Sequence, residues 1–276
     1  MPVISTNTAA NAAVMYLNIN AAQESSALQK LSSGSRITQA SDDAAGLAIS
    51  TGISSDVTAL QQAATNASQA TSILQTADGG ASNIGNILAR MESLASESAS
   101  GTVTDSSRDY IQSEFSQLSS EIDSIAKSTS YSGNSLLDGT SAFASGSGVS
   151  VLVGVQSSDT ISISLTNINA TGLGITGLSV SSQSGATSAL TTLGNAISSV
   201  SAARANIGAL ESRFNFSASD ISTQTQNLQA ANSAITDVDV ASEEATLSSA
   251  EVKTQAAVSA ETAANQMPQY LLKLLG

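Results

Sequence analysis

The chain has no cysteine, no histidine and no tryptophan, and only two of its 276 residues are proline. Without cysteine there is no disulfide, no thiol nucleophile and no thiolate metal site. Without histidine the usual general base and the commonest metal ligand are missing as well. Aromatic residues make up 3% of the chain and charged residues 11%. So few large side chains do not suit one broad globular core, whereas many small ones suit thin helical layers packed closely. Positive charge is scarce: nine Lys and Arg stand against 22 Asp and Glu, a formal net charge of -13. That balance argues against nucleic acid as a partner, because phosphate binding needs a basic face. Long apolar runs are missing too, so no segment reads as a membrane span. The first cationic side chain is Lys30, and the basic, then apolar layout of a secretory signal peptide is not visible. If the protein works outside the cell, a different export route is expected.

What is present is helical periodicity. Leu190, Leu193, Ile197, Val200, Arg204, Ile207, Leu210, Phe214, Ala218, Ile221, Thr225, Leu228 and Ile235 recur mostly at steps of three and four. This is the seam of a helix in a left-handed coiled coil. At 1.5 Å per residue it predicts a rod of roughly 70 Å, too long to stand without partners. A second seam runs through Ile53, Val57, Leu60, Ala64, Ala67, Thr71, Leu74, Ala77, Ala81, Ile84, Leu88, Met91 and Leu94, with a slip at Ala77 beside Gly79 and Gly80 that is expected to weaken or bend the helix. Gly101 and Thr102 are expected to end it. A third, shorter seam is Ile111, Phe115, Leu118, Ile122 and Ile125, with Asp105 or Ser106 as its expected cap. A hinge over 101–105 would fold this helix back onto the second, giving a helical bundle.

The ends carry weaker seams. Val3, Ala10, Val14, Leu17, Ala21, Leu28 and Leu31 form one, interrupted by Glu24; Ala245, Val252, Ala256, Ala263, Met267, Leu271 and Leu274 form the other. Alone in water the first is expected to be largely unfolded, and the two are expected to pair with each other and with further copies. Between the first and second helices, Gly34 reads as a helix stop, Ser41 or Asp42 as a cap, and Asp43 as a favourable charge at a helix start. Pro268 is expected to kink or end the last helix. Strand periodicity occurs only in 128–188: Val149, Val151, Val153 and Val155, then Ile161, Ile163 and Leu165, around 156–160, which predicts a β-hairpin. The expected fold class is therefore mainly α, with long antiparallel helices in a coiled-coil bundle and a small β-hairpin region.

Three stretches carry a family resemblance. Leu31 to Ile49, LSSGSRITQASDDAAGLAI, resembles the N-terminal signature of bacterial flagellins; Ala264 to Leu275, ANQMPQYLLKLL, resembles their C-terminal signature; and Asn206 to Asn215, NIGALESRFN, resembles their long C-terminal helix. The resemblance runs in order along almost the whole chain and implies a minimal flagellin without the variable outer domains. It implies an N-terminal inner coiled-coil segment and spoke over 1–43, an outer helical domain with the hairpin near 149–165 over 44–235, and a C-terminal inner segment over 236–276. The implied function is a structural, non-enzymatic subunit of the hollow flagellar filament, a homo-oligomer of many copies, with no cofactor. The neighbouring alternative is a flagellar hook–filament junction protein. The implied location is the extracellular filament, reached through the flagellar export apparatus without a cleaved signal peptide. An export chaperone on about 238–276 and filament cap and hook-junction proteins are the implied partners.

The self-assembly seam expected from periodicity and resemblance together comprises Val14, Leu17, Leu28, Leu31, Val252, Ala256, Ala263, Met267 and Leu271. Arg90, Leu94 and Glu114 match positions where flagellins touch neighbouring subunits and are read by a vertebrate innate immune receptor. Here Ala89 replaces the family's usual glutamine and Glu92 its usual arginine, and a reversed rim charge costs affinity and association rate. A solvated or subunit-contact role for Arg90 and Glu114 is therefore the stronger expectation. Arg204 is expected to pack its stem and extend its head to a carboxylate or to solvent. Three Asn-x-Ser/Thr matches, at Asn66, Asn169 and Asn215, carry little weight because such matches are common by chance. O-glycosylation within 140–189 is an expectation from hydroxyl density, removed by an intact mass equal to the sequence mass.

Overall fold

The computed structural model describes residues 6–144, 146 and 148–275, with side chains for all of these except 268 and 271–275. Val3 therefore lies outside the described residues, as do the Leu271 and Leu274 side chains. In chain order the elements are α1 (Thr8–Ser33), α2 (Ala44–Ala99), α3 (Asp105–Ser128), β1 (Ser130–Tyr131), β2 (Asn134–Ser135), a short 3-10 turn (Ala142–Ala144), β3 (Val149–Leu152), β4 (Thr160–Ile163), α4 (Gln183–Thr236) and α5 (Val240–Leu275). They fall into two compact units, Met1–Ser55 with Asn227–Gly276, and Asp56–Gln226. α2 and α4 contribute residues to both.

The core of the second unit is a repeating seam, and it is cleaner than the large apolar residues suggest. Along α2 one line of buried positions runs through Leu60, Ala63, Ala67, Ala70, Leu74, Ala77, Ala81, Ile84, Leu88, Met91, Ala95 and Ser98, with Gly80 and Leu94 buried beside it. The steps alternate three and four without a break. The slip expected at Ala77 does not occur, because Ala63 and Ala70 occupy the seam where Ala64 and Thr71 were expected. Along α4 the same alternation picks out Ala186, Ala189, Leu193, Ala196, Val200, Ala203, Ile207, Leu210 and Phe214. Leu190 and Ile197 lie beside this line, half-buried against the core. Alanine carries little hydrophobic weight in a sequence reading, yet at a helix interface it leaves room for a large residue opposite, as interdigitating layers require.

α3 closes the core with Ile111, Phe115, Ile122 and Ala126. Its cap is Thr104, not Asp105 or Ser106: the Thr104 Oγ1 accepts from Ser107 N at 3.3 Å, and Asp105 becomes the acidic residue of the first turn. Arg108 is buried, yet fully partnered. It donates from Nε to Ser98 O at 2.9 Å, from Nη2 to Ser100 O at 3.0 Å and from Nη1 to Asp105 at 2.7 Å. Its guanidinium thus takes carbonyls left over at the C-terminal end of α2, a favourable place for positive charge. The predicted hairpin is present as β3 and β4, antiparallel, with Val149 opposite Ile163 and Val151 opposite Ile161. A second, smaller ladder pairs β1 with β2.

Two helices continue through residues that disfavour helix. α2 passes through Gly79 and Gly80, and α5 passes through Pro268 to Leu275. The Gly80 position is a close approach: a Cβ there would lie 2.5 Å from Thr129 Oγ1 and 2.8 Å from Leu137 Cδ1, whereas one at Gly79 would meet nothing. The helix exteriors are lined with hydroxyls bonded to their own backbones four residues back. Thr65 donates to Gln61 O at 3.1 Å, Ser116 to Gln112 O at 2.8 Å, Ser198 to Gly194 O at 2.9 Å and Thr223 to Ser219 O at 3.0 Å.

The two adjacent glycines yield opposite predictions. Gly79→Ala should raise thermal stability by about 1 kcal/mol from helix propensity alone. Gly80→Ala gains the same propensity but must displace Thr129 and Leu137, an overpacking cost of about 1–3 kcal/mol, and should lower the melting temperature. Thermal unfolding followed by circular dichroism reads the two signs.

Candidate assembly surface

α1 and α5 pair along their length, with Cα atoms of the two helices within 8 Å of each other. The residues turned toward the partner helix are mostly small or polar, with Leu17, Leu31 and Leu247 the large exceptions. On α1 they follow Ala10, Ala13, Leu17, Asn20, Glu24, Ala27 and Leu31, and on α5 Glu243, Leu247, Ala250, Thr254, Ala257, Glu261 and Ala264, all buried or half-buried. Both sets step by three and four. Glu24, read in the sequence as an interruption, is a member of this seam and faces Thr254, whose hydroxyl lies 3.4 Å from its carboxylate.

The large apolar residues of the pair point the other way. Val252 is 67% exposed, Met267 55%, Leu28 50% and Val14 37%. Met15, Tyr16, Ile19, Val258 and Tyr270 are exposed as well. Of the expected assembly seam, Leu17 and Leu31 are half-buried in the pair, while Val14, Leu28, Val252, Ala256, Ala263 and Met267 lie on its outside; the side chain of Leu271 is outside the described residues. The terminal pair therefore closes on alanine and leaves its larger apolar surface unpartnered within the chain.

A backbone clasp joins the turns at the other end of this pair. Gly34 ends α1 in the left-handed conformation at φ 69°, the role its position predicted. Beyond it, Arg36 N donates to Thr236 O at 2.6 Å and Val238 N to Gly34 O at 3.1 Å, with Ser35 and Asp237 forming an isolated antiparallel bridge. The Arg36 guanidinium adds a bond to Ile235 O at 2.7 Å. On the far side of the clasp, Asp239 caps α5 by accepting from Ala241 N at 3.0 Å and Ser242 N at 3.2 Å.

The 38–43 turn assigns its two aspartates different tasks. Asp43 is the cap of α2, its Oδ1 accepting from Gly46 N at 2.8 Å. Gly46 is needed there, since a Cβ would collide with the Asp43 carboxylate and with Ile37. Asp42, expected as a cap, instead closes the turn, with one carboxylate oxygen accepting from Thr38 N, Thr38 Oγ1 and Gln39 N, each at 3.0 Å. Donated hydrogen bonds from Gln39 N and Thr38 N, then from the Thr38 hydroxyl, hold its pKa below the ordinary carboxylate range.

Arg90 on α2 reaches Glu114 on α3, with Nε and Nη2 at 2.9 and 2.6 Å from one carboxylate oxygen. Both side chains are half-exposed. Leu94 is different: it is 2% exposed and belongs to the core, so it is not free to touch a partner. Arg204 pairs with Asp78 on α2 through two bonds at 2.8 and 3.2 Å, which hold its guanidinium still more firmly protonated. It is the carboxylate contact expected of it. No group of metal-ligating side chains forms among the described residues, and no described helix is long and apolar enough to cross a membrane.

A helical fold whose terminal pair turns apolar surface outward defines an assembly protein, one that works through contacts between chains. Sequence comparison is specific about which. Residues 4–142 match the profile of the bacterial flagellin N-terminal helical region, and residues 190–275 that of the bacterial flagellin C-terminal helical region. The chain is 35% identical to a flagellar filament 30.7 kDa core protein from Treponema maltophilum, over 99% of each chain. The crystal structure of Bacillus cereus flagellin shares 31% identity and superposes with a TM-score of 0.50, covering 61% of this chain and 94% of that one. A putative flagellar hook-associated protein from Vibrio parahaemolyticus shares the fold, with a TM-score of 0.58 at 16% identity, over 70% of this chain and 99% of that one. The chain belongs to the bacterial flagellin family.

The hydrogen-bonded turn makes a pH prediction. A carboxylate whose folded pKa lies below its unfolded value contributes stability that is complete above that unfolded value and is lost as pH falls through the folded one. Asp42→Asn removes the charge, so protection of the 34–47 backbone against hydrogen exchange should be lower at neutral pH and change less as pH drops into the acid range. A variant profile parallel to the parent's would show that Asp42 does not hold the turn.

Proposed function

We propose that this chain is the structural subunit of a flagellar filament. The observation that carries the reading is the terminal pair: it seals itself with alanine and displays Val14, Leu28, Val252 and Met267 to the outside. Apolar surface of this extent on a soluble chain marks a contact site. Head-to-tail contacts between identical copies need not close into a ring, and open ones propagate as a helical filament.

In this reading 1–43 and 236–276 form the inner coiled coil around a central channel, 33–43 is the spoke, and 44–235 is the outer domain. The clasp between 34–36 and 235–238 supports that division, since it ties the two strands of the connector at one level. The reading assigns no catalytic role to any residue. Export proceeds through the flagellar apparatus without a cleaved signal, an export chaperone holds 238–276, and cap and hook-junction proteins meet the growing or basal end. Arg90 and Glu114, already paired with each other, serve as subunit-contact charges; with Leu94 in the core and Glu92 reversing the usual charge, recognition by the vertebrate receptor is expected to be weak in a reporter-cell assay. The hook–filament junction alternative rests on a fold shared at 16% identity, the filament reading on sequence identity along 99% of the chain.

Seeded polymerisation viewed by electron microscopy tests the proposal. The full chain should give hollow helical filaments, and a chain trimmed to about 45–235 should stay monomeric. Discrete closed oligomers from the full chain would favour a junction or cap role. Val252→Glu places a charge on the outward face and should raise the critical concentration for polymerisation at least tenfold while leaving the helix content of the chain unchanged.

A further inference from the structure

α5 runs through a proline that ought to leave a carbonyl without a donor. A helical residue donates its N–H to the carbonyl four positions earlier, and proline has none to give. For Pro268 the abandoned acceptor is Ala264 O, on a residue that is itself buried against α1. The donor that reaches this oxygen comes from the opposite end of the sequence: Asn7 Nδ2 donates to Ala264 O at 2.8 Å. The same side chain is the cap of α1, its Oδ1 accepting from Ala10 N at 3.1 Å. One amide thus uses both of its ends. Its oxygen starts the first helix, and its nitrogen repairs the last.

We infer that Asn7 is a positioning residue for assembly, a register lock that makes continuation of α5 through Pro268 conditional on α1 being in place beside it. This deepens the filament reading and rests on it in one respect, that the terminal pair is the assembling element. An unsatisfied buried carbonyl is costly, and in the observed register the Asn7 amide is the side-chain donor that satisfies it. Along α5, Ala250, Ala257 and Ala264 recur at seven-residue steps, so burial of alanine alone does not mark Ala264 out from the other two. Proline and asparagine act together: the proline creates a unique acceptor, and the asparagine is the unique donor that matches it. The helix beyond Ala264 carries Met267 and Tyr270, both exposed, so the lock governs whether these residues are presented on an ordered helix.

A double-substitution cycle on the full-length chain tests the lock. Asn7→Asp keeps the capping oxygen, and adds a charge that a helix start favours, but removes the amide donor. Pro268→Ala restores the missing N–H and makes that donor redundant. Asn7→Asp alone should raise the critical concentration about tenfold, and in the Pro268→Ala background by less than about twofold. Hydrogen exchange over 260–275, read on both the free and the assembled chain, should speed up with Asn7→Asp only when Pro268 is present. Equal effects in the two backgrounds, or none in either, would reduce Asn7 to an ordinary cap and overturn the inference. If the parent chain forms no filaments, the filament reading fails on its own account, and the exchange cycle on the free chain still decides the lock by the same two outcomes.

Discussion

A helix of more than fifty residues cannot hold itself in place. Its ends are too far apart to touch, and nearly all of its stability must come from a continuous line of contacts along one side. That constraint governs the whole of this chain. α2 and α4 satisfy it with uninterrupted three-four seams in which alanine alternates with leucine, isoleucine and valine, and the rest of the second unit is arranged to cover those seams. α3, the hairpin and the loop through Ile168 and Val180 all place apolar side chains into the same core. The polar ties sit at its edges, where Arg108 and Gln183 take carbonyls at the end of α2 and Arg204 reaches Asp78.

The terminal pair meets the same constraint by other means. Its internal seam is too small and too polar to bury much apolar area, so hydrophobic burial alone would hold α1 and α5 together weakly. What it has in addition is directionality: a clasp of backbone bonds at one end and the Asn7 amide at the other. Most of the large residues lie on the outside. Covering that outer face would bury further apolar surface.

Much of this was legible in the sequence, and the failures have a common cause. The helices, the hairpin, the Gly34 stop and the Arg204 contact could be read because each rests on local pattern or on strongly marked residues. The precise seam could not, because a reading weighted toward large apolar side chains passes over Ala63, Ala70, Ala196 and Ala203, and so finds a slip at Ala77 that is not there. Leu94 was misplaced for a related reason: its family position suggested a contact surface, while its burial beside the α2 seam puts it in the core. The end of α5 expected at Pro268 does not occur, and the glycine at 80 has its reason in a close approach; both depend on residues distant in sequence, Asn7 in one case and Thr129 and Leu137 in the other. No local rule could have supplied those partners.

The hydroxyls bonded back onto their own helices have a mechanical meaning. A serine or threonine whose proton is already committed to the carbonyl four residues earlier asks nothing of a surface laid against it, and unlike a lysine or glutamate it carries no charge to desolvate. Two such surfaces can be pressed together in one alignment or in another displaced by a few ångströms, and neither alignment strands a donor. The hydroxyls on these exteriors therefore place little directional demand on whatever surface is laid against them.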